Sequence, residues 1–222
     1  MGVYTSNVTF NDSTTQTTKF DSSNEGGNLL SITSYTTAGS YTWTKPSGCK
    51  KVIVRLVGGG GGSSGYCESG GAGGYSEKMI DVTSVATVSV TVGGGGGATG
   101  YYTAAPDGGT SSFGAYCSAT GGYGANRNYS HTGGLGGVGS GGDINLYGGM
   151  GTGHGNSMGH GVLGRGGETY FGGAPGGKRE GGGGGNVGQG APGSGGCGGR
   201  TNDNHGSGGP GKPGAVYIWE YT

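Results

Sequence analysis

The chain has 222 residues, of which 65 are glycine, and its 12 Lys and Arg balance 12 Asp and Glu. Its apolar content of 29% lies far below the roughly 45–50% of ordinary domains, so a conventional hydrophobic core of this size cannot be built. Zero net charge with no basic cluster excludes an electrostatic nucleic-acid binder, and it lacks the high net charge that accompanies disorder.

From the N-terminus, 3–30 is polar and rich in Thr and Ser, with Val8 and Phe10 alternating into a short strand and a turn at Asn11-Asp12. Alternation strengthens from Ile32 and Tyr35 into Tyr41-Thr42-Trp43-Thr44, which ends at the turn Lys45-Pro46-Ser47-Gly48. Strands are predicted over 51–57, 75–82, 86–92 and 215–221, because β-branched residues gather there. These segments hold nearly all the Val and Ile and bracket the glycine region on both sides. A small β-domain with that region inserted between its strands follows.

All but five of the glycines fall within 58–214, and locally they keep a period of three, as in Gly133-Gly134-Leu135-Gly136-Gly137-Val138-Gly139 and at Gly193, Gly196 and Gly199. Three residues per turn is the polyproline-II geometry, which has no internal hydrogen bonds. Glycine exposes its backbone on every side, so such helices can approach closely and bond to one another. The expected fold class is therefore mainly β plus irregular: a small β-sheet domain with an inserted bundle or sandwich of polyglycine-II helices. The sheet base is assigned to 31–57, 75–92 and 215–222, and the glycine-rich part to 58–74 and 93–214.

Each glycine run reads as one extended segment and each interruption as a reversal. Reversals far from the sheet fall at 98–107, 125–132, 154–160, 178–180 and 200–205, and near ones at 113–120, 143–147, 168–171 and 186–192. All four His (His131, His154, His160, His205) fall at the far end with Arg127, Lys178, Arg179 and Arg200. The near end holds Ile144, Leu146, Tyr147, Tyr170 and Phe171, which are expected to pack on the sheet.

Several motifs resolve into bland readings. Gly172 to Gly177-Lys178 has phosphate-loop spacing, but Arg179 stands where Ser or Thr would bind Mg²⁺; Gly206 to Gly211-Lys212 fails likewise at Pro213. The histidines read as solvent-facing loop residues rather than metal ligands, and no cofactor is expected. Sequons at Asn7, Asn11 and Asn128 have no signal peptide to support their use. Cys49, Cys67, Cys117 and Cys197 form no CxxC pair and read as free thiols packed as small hydrophobes. Asp107, Asp143, Glu168, Glu180 and Asp203 lie in separate reversals, and no nucleophile elbow exists, so the chain is not expected to be an enzyme. Nor is membrane insertion expected: no apolar run approaches the roughly 18–20 residues a spanning helix needs. The tyrosines carry more information. Tyr101-Tyr102 and Asn126-Arg127-Asn128-Tyr129 join flat aromatic surface to adaptable polar groups, the chemistry of binding loops. The candidate receptor-binding residues are Tyr101, Tyr102, Arg127, Tyr129, His154, His160, Arg179 and Arg200.

Five stretches together resemble the glycine-rich receptor-binding tips of bacteriophage tail fibres: Tyr41-Thr-Trp-Thr-Lys-Pro-Ser-Gly48, the strand 52–57 entering 58–62, Gly73-Gly74-Tyr75-Ser76-Glu77, Val88-Ser-Val-Thr-Val-Gly93 and the closing Gly211-Lys-Pro-Gly-Ala-Val-Tyr-Ile-Trp-Glu-Tyr221. The resemblance covers most of the chain. Asn7-Val-Thr-Phe-Asn-Asp and Thr15-Gln-Thr-Thr18 are similar to the short β-repeat of trimeric fibre shafts, which assigns 1–30 to a stem. The resemblance implies a homotrimeric adhesin at the distal tip of a virion tail fibre, binding a bacterial outer-membrane protein or lipopolysaccharide glycan. The chain lacks the helical attachment domain of separate tip adhesins, so it is expected to continue from its own shaft. A bacterial or predator-fibre surface adhesin of the same architecture is the alternative. An ice-binding bundle would need flat, regular faces, and these runs are uneven with decorated ends.

Overall fold

The computed structural model describes residues 27–65, 68–100, 103–125, 132–153, 164–176, 190–199 and 207–222, with the backbone of two short strands before them. Those strands, β1 (Val8–Thr9) and β2 (Thr15–Gln16), pair antiparallel with Val8 against Gln16. Of the rest of 1–30, expected to form a trimeric stem, Leu29 and Leu30 belong instead to a strand of the main sheets, and the residues before Gly27 lie outside the described ones.

The described residues contain no helix. They build two antiparallel five-stranded sheets from β3 (Leu29–Tyr35), β4 (Gly39–Thr44), β5 (Lys51–Val57), β6 (Tyr75–Asp81), β7 (Thr87–Val92), β8 (Ser111–Phe113), β9 (Cys117–Ala119), β10 (Gly139–Ser140), β11 (Ile144–Leu146) and β12 (Ala215–Tyr221). One sheet runs β11-β6-β5-β12-β3 and the other β10-β9-β8-β7-β4. The strands read from the sequence are all present. Four short ones, β8 to β11, come from within the glycine-rich stretch, where the chain returns and extends each sheet edge.

The period-two alternation sorts side chains between the faces. Val52, Val54 and Leu56 of β5 and Val216 and Ile218 of β12 are buried against Val88, Val90 and Val92 of β7, Trp43 of β4 and Phe113 of β8. Trp43 meets Phe113 edge-on at 5.7 Å between ring centroids. Each fully buried apolar side chain contributes about 1.5–3 kcal/mol, so this thin sandwich is the conventional part of the core. Glu220 breaks the apolar pattern. Its buried carboxylate accepts from Trp43 Nε1 at 2.7 Å, Thr33 Oγ1 at 3.0 Å and Ser31 Oγ, tying the two sheets together through hydrogen bonds. Cys49 and Cys117 are free thiols in this core, and Cys197 is buried with its thiol donating to Gly176 O at 3.1 Å. Cys67 lies outside the described residues.

Beyond Val57 the chain leaves the sheet in the run 58–65 and returns in 68–74 to β6. The backbone bonds of 58–65 rotate through three partners with a period of three. Gly58, Gly61 and Ser64 donate to Gly74, Gly71 and Glu68; Gly59 and Gly62 donate to Gly109 and Pro106; Gly60 and Ser63 donate to Lys212 and Gly209, all at 2.9–3.1 Å. The carbonyls answer in kind. Gly59 and Gly62 accept from Gly122 and Ala125, Gly60 and Ser63 from Gly96 and Thr99, and Gly61 from Gly196. The surrounding runs also bond to one another in sequence round the ring: Gly71 to Tyr123, Ala105 to Ala125, Gly109 to Gly94, Gly211 to Gly96, Gly209 to Cys197 and Gly70 to Gly196. The run 68–74 is enclosed the same way, by 58–65, 120–125, 132–138, 148–153, 164–168 and 193–199. Two buried runs therefore lie inside a shell of extended chain, with hydrogen bonds in place of apolar contacts.

Such packing leaves no room for a side chain. A Cβ built on Gly59, Gly60 or Gly61 would overlap the carbonyl of Gly94, Ser194 or Tyr123 respectively, closer than 3.0 Å in each case. Successive residues face different neighbours, so glycine is required at three positions in a row. Toward the end remote from the sheets the interior runs admit Ser63, Ser64, Glu68 and Ser69, all fully buried. Their hydroxyls join the bonding: Ser63 Oγ donates to Cys197 O at 2.6 Å, and Ser69 Oγ accepts from Gly198 N at 3.0 Å.

At the sheet end, Tyr170 stacks on Tyr75 with centroids 3.9 Å apart, and Phe171 lies edge-on to Tyr75 and Tyr217. The expectation of near-end packing fails for the other three residues. Ile144 and Leu146 enter β11, an edge strand, with side chains half exposed, and Tyr147 is 79% exposed. An edge strand is covered on one side only, so its outward residues stay in water.

Candidate functional site

None of the eight nominated residues, Tyr101, Tyr102, Arg127, Tyr129, His154, His160, Arg179 and Arg200, is among the described residues, nor are the other two histidines, His131 and His205. What is described is the ground from which their segments leave. Thr99 N donates to Ser63 O and Gly208 N to Thr99 O, joining the flanks of 101–102 and 200–206 beside the 64–68 turn. Across that turn Ser69 N donates to Thr152 O, and Gly134 N to Ser69 O, joining the flanks of 154–163 and 126–131. Cys197 Sγ reaches Gly176 O beside 177–189. All these flanks meet at the end of the bundle opposite the sheets, about 20 Å from Val57 at roughly 3 Å per residue of extended chain.

That end is cross-linked by side-chain hydrogen bonds between the flanks. Thr99 Oγ1 donates to Thr103 O at 2.9 Å, joining the residues on either side of 101–102. Thr152 Oγ1 accepts from Arg165 N at 2.6 Å and closes the flanks of 154–163. Beneath it Glu68 is fully buried, with Ser64 Oγ donating to its Oε2 at 3.3 Å. Among the described residues no His, Cys, Asp or Glu cluster has metal-ligating geometry.

One groove on the bundle wall was not anticipated from sequence. It has a volume of about 350 Å³ and lies between the runs 104–109, 120–125 and 132–138. Tyr123 and Leu135 stand side by side on adjoining runs, since Tyr123 N donates to Leu135 O at 2.9 Å, and both are about half exposed. Asp107 forms the opposite wall, with Oδ1 accepting from Gly124 N at 2.7 Å. A signal for it existed in Gly121-Gly122-Tyr123-Gly124. A large aromatic in a run whose inner positions admit only small residues must face outward.

A second aromatic surface lies on the outer face of the β5, β6 and β12 sheet. Arg55 sits 4.7 Å over the Trp219 ring, and its Nε donates to Glu77 Oε2 at 2.9 Å. Tyr75 donates to the same oxygen at 2.6 Å. Burial, then the Glu77 hydrogen bond and charge, push the Tyr75 phenol well above its ordinary range, so it stays a proton donor. The charges and hydroxyls of this cluster are satisfied internally, which makes it structural cement between sheet and turn.

A family model described as a glycine-rich domain matches residues 36–221. The chain belongs to the glycine-rich domain family. No curated protein matches it. The matched span of this glycine-rich domain begins between β3 and β4 and ends with β12, so it takes in all the described runs together with most of both sheets.

Proposed function

We propose that this glycine-rich domain is the receptor-binding tip of a bacteriophage tail fibre, carried at the distal end of the virion's fibre as a homotrimer. Its runs read as polyglycine-II helices. The support is the three-residue rotation of bonding partners around 58–65 and 68–74, which matches a helix of three residues per turn. The observation that carries the functional reading is the meeting, at one end of the bundle, of both flanks of 101–102, 126–131, 154–163 and 200–206, the segments that hold seven of the eight residues. A hydrogen-bonded scaffold of this kind pre-organises loops, which lowers the entropy cost of binding. Loop residues Tyr101, Tyr102, Arg127, Tyr129, His154, His160, Arg179 and Arg200 would then contact an outer-membrane protein or lipopolysaccharide glycan.

The test is to substitute these residues with alanine and measure adsorption of the intact protein to host cells. Loss of a central aromatic or Arg anchor costs about 2 kcal/mol, roughly thirtyfold in affinity, without lowering the melting temperature. Phe171→Ala, which removes ring contacts to Tyr75 and Tyr217, should lower the melting temperature and spare adsorption per folded molecule. The opposite pattern would place binding at the sheet end and overturn the reading.

A further inference from the structure

We infer that the wall groove bounded by Asp107, Tyr123 and Leu135 is a subsite for a neutral pyranose of a bacterial surface glycan. The inference rests on the tip reading and narrows its receptor from protein or glycan to glycan.

Four features of the groove point to this chemistry. Tyr123 offers a ring that the fold does not need: it is 53% exposed, while the backbone of its run supplies the bonds to both neighbours. With Leu135 beside it at 55% exposure, it forms an apolar platform matched to the C–H face of a sugar ring. Asp107 supplies the acceptor for sugar hydroxyls. Its Oδ1 is anchored by Gly124 N–H, and among the described residues Oδ2 takes no bond, so a fixed carboxylate oxygen faces the groove. Charge-assisted hydrogen bonds of this kind are stronger than neutral ones. Among the described residues the only charged side chain lining the groove is that carboxylate, which disfavours phosphorylated or acidic sugars. The volume of about 350 Å³ is at the low end for ligand clefts and suits a ring or a disaccharide. The groove is also placed for an extended ligand. Its walls run through Ala104 and Thr132 directly toward the segments carrying Tyr101-Tyr102 and Arg127-Tyr129, so a longer glycan seated at the bundle end would reach it.

The experiment uses the full chain and methyl glycosides of glucose, galactose, N-acetylglucosamine and a heptose as probes, read by saturation-transfer NMR. At least one probe should receive saturation on its ring C–H face. Tyr123→Ala should abolish that signal, Tyr123→Phe should keep it, and Asp107→Asn should weaken affinity about tenfold. The Asn side chain keeps an acceptor for Gly124 N–H, so the fold is preserved, and an unchanged melting temperature checks this. Absence of transfer from every probe, or a signal that survives Tyr123→Ala, overturns the inference. Host-cell adsorption separates the two levels. A Tyr123→Ala protein that adsorbs as well as the parent removes the subsite and leaves the tip reading standing, whereas a parent that adsorbs to no host cell removes the tip reading itself.

Discussion

Replacing Gly61 by alanine puts a methyl group where the Tyr123 carbonyl already lies, inside the 3.0 Å that Cβ atoms keep from other heavy atoms. The run 120–125 must then retreat by about 1 Å, an overpacking that costs about 1–3 kcal/mol in a well-packed interior. That retreat also weakens three backbone bonds, Gly71 to Tyr123, Gly122 to Gly59 and Ala125 to Gly62, now at 2.9, 2.9 and 3.0 Å. At well under 1 kcal/mol for each bond lengthened rather than lost, the whole substitution costs about 4 kcal/mol. In a domain of this size 1 kcal/mol moves the melting temperature by about 2–4 °C, so Gly61→Ala should melt roughly 8–16 °C below the parent. Gly97→Ala is the control. Its Cβ would find nothing within 4 Å, and losing a glycine from the unfolded chain stabilises by about 0.4–1 kcal/mol. Calorimetry on the two variants and the parent decides the matter. If Gly61→Ala melts with the parent, or no lower than Gly97→Ala, carbonyl proximity is not what makes glycine necessary in the inner runs.

Three further outcomes are expected. Glu220→Ala strips the buried Trp43 indole of its acceptor and should cost about 1–3 kcal/mol, seen as a lower urea midpoint at unchanged slope. Burial pushes the Cys117 thiol from 9.0 up to about 11, so the folded chain holds this proton after the unfolded chain has lost it. The contribution is complete below pH 9 and declines between pH 9 and about 11. Cys117→Ala should flatten the pH dependence of melting in that window, and a thiol reagent at pH 8 should leave Cys117 unmodified until denaturant is added. Light scattering on the intact chain should give about three times 21.4 kDa if the N-terminal segment trimerises, and a persistent monomer would count against the stem.

The strands were legible because alternation is a local signal. Val52, Val54 and Leu56, and Val88, Val90 and Val92, each specify a buried face whatever lies opposite. The glycine period is local too, and it specifies backbone bonding in place of an apolar core. Other features could not be read in this way. Ile144 and Leu146 look like core residues in sequence, yet they fall on an edge strand because only the folded sheet determines which strand is last. Tyr123 looks like one interruption among many, until the run 132–138 and Asp107 from 104–109 are set beside it.

Composition alone dictates that inner runs consist mostly of small residues, since any chain with so little apolar surface has to satisfy its backbone against itself. Which runs are inner is a different matter. The runs 58–65 and 68–74 are enclosed because their partners come from as far along the chain as Cys197 and Lys212, and no local pattern encodes contacts at that separation. The periodicity of a segment is set by its own residues, whereas its neighbours are set by how the whole chain closes.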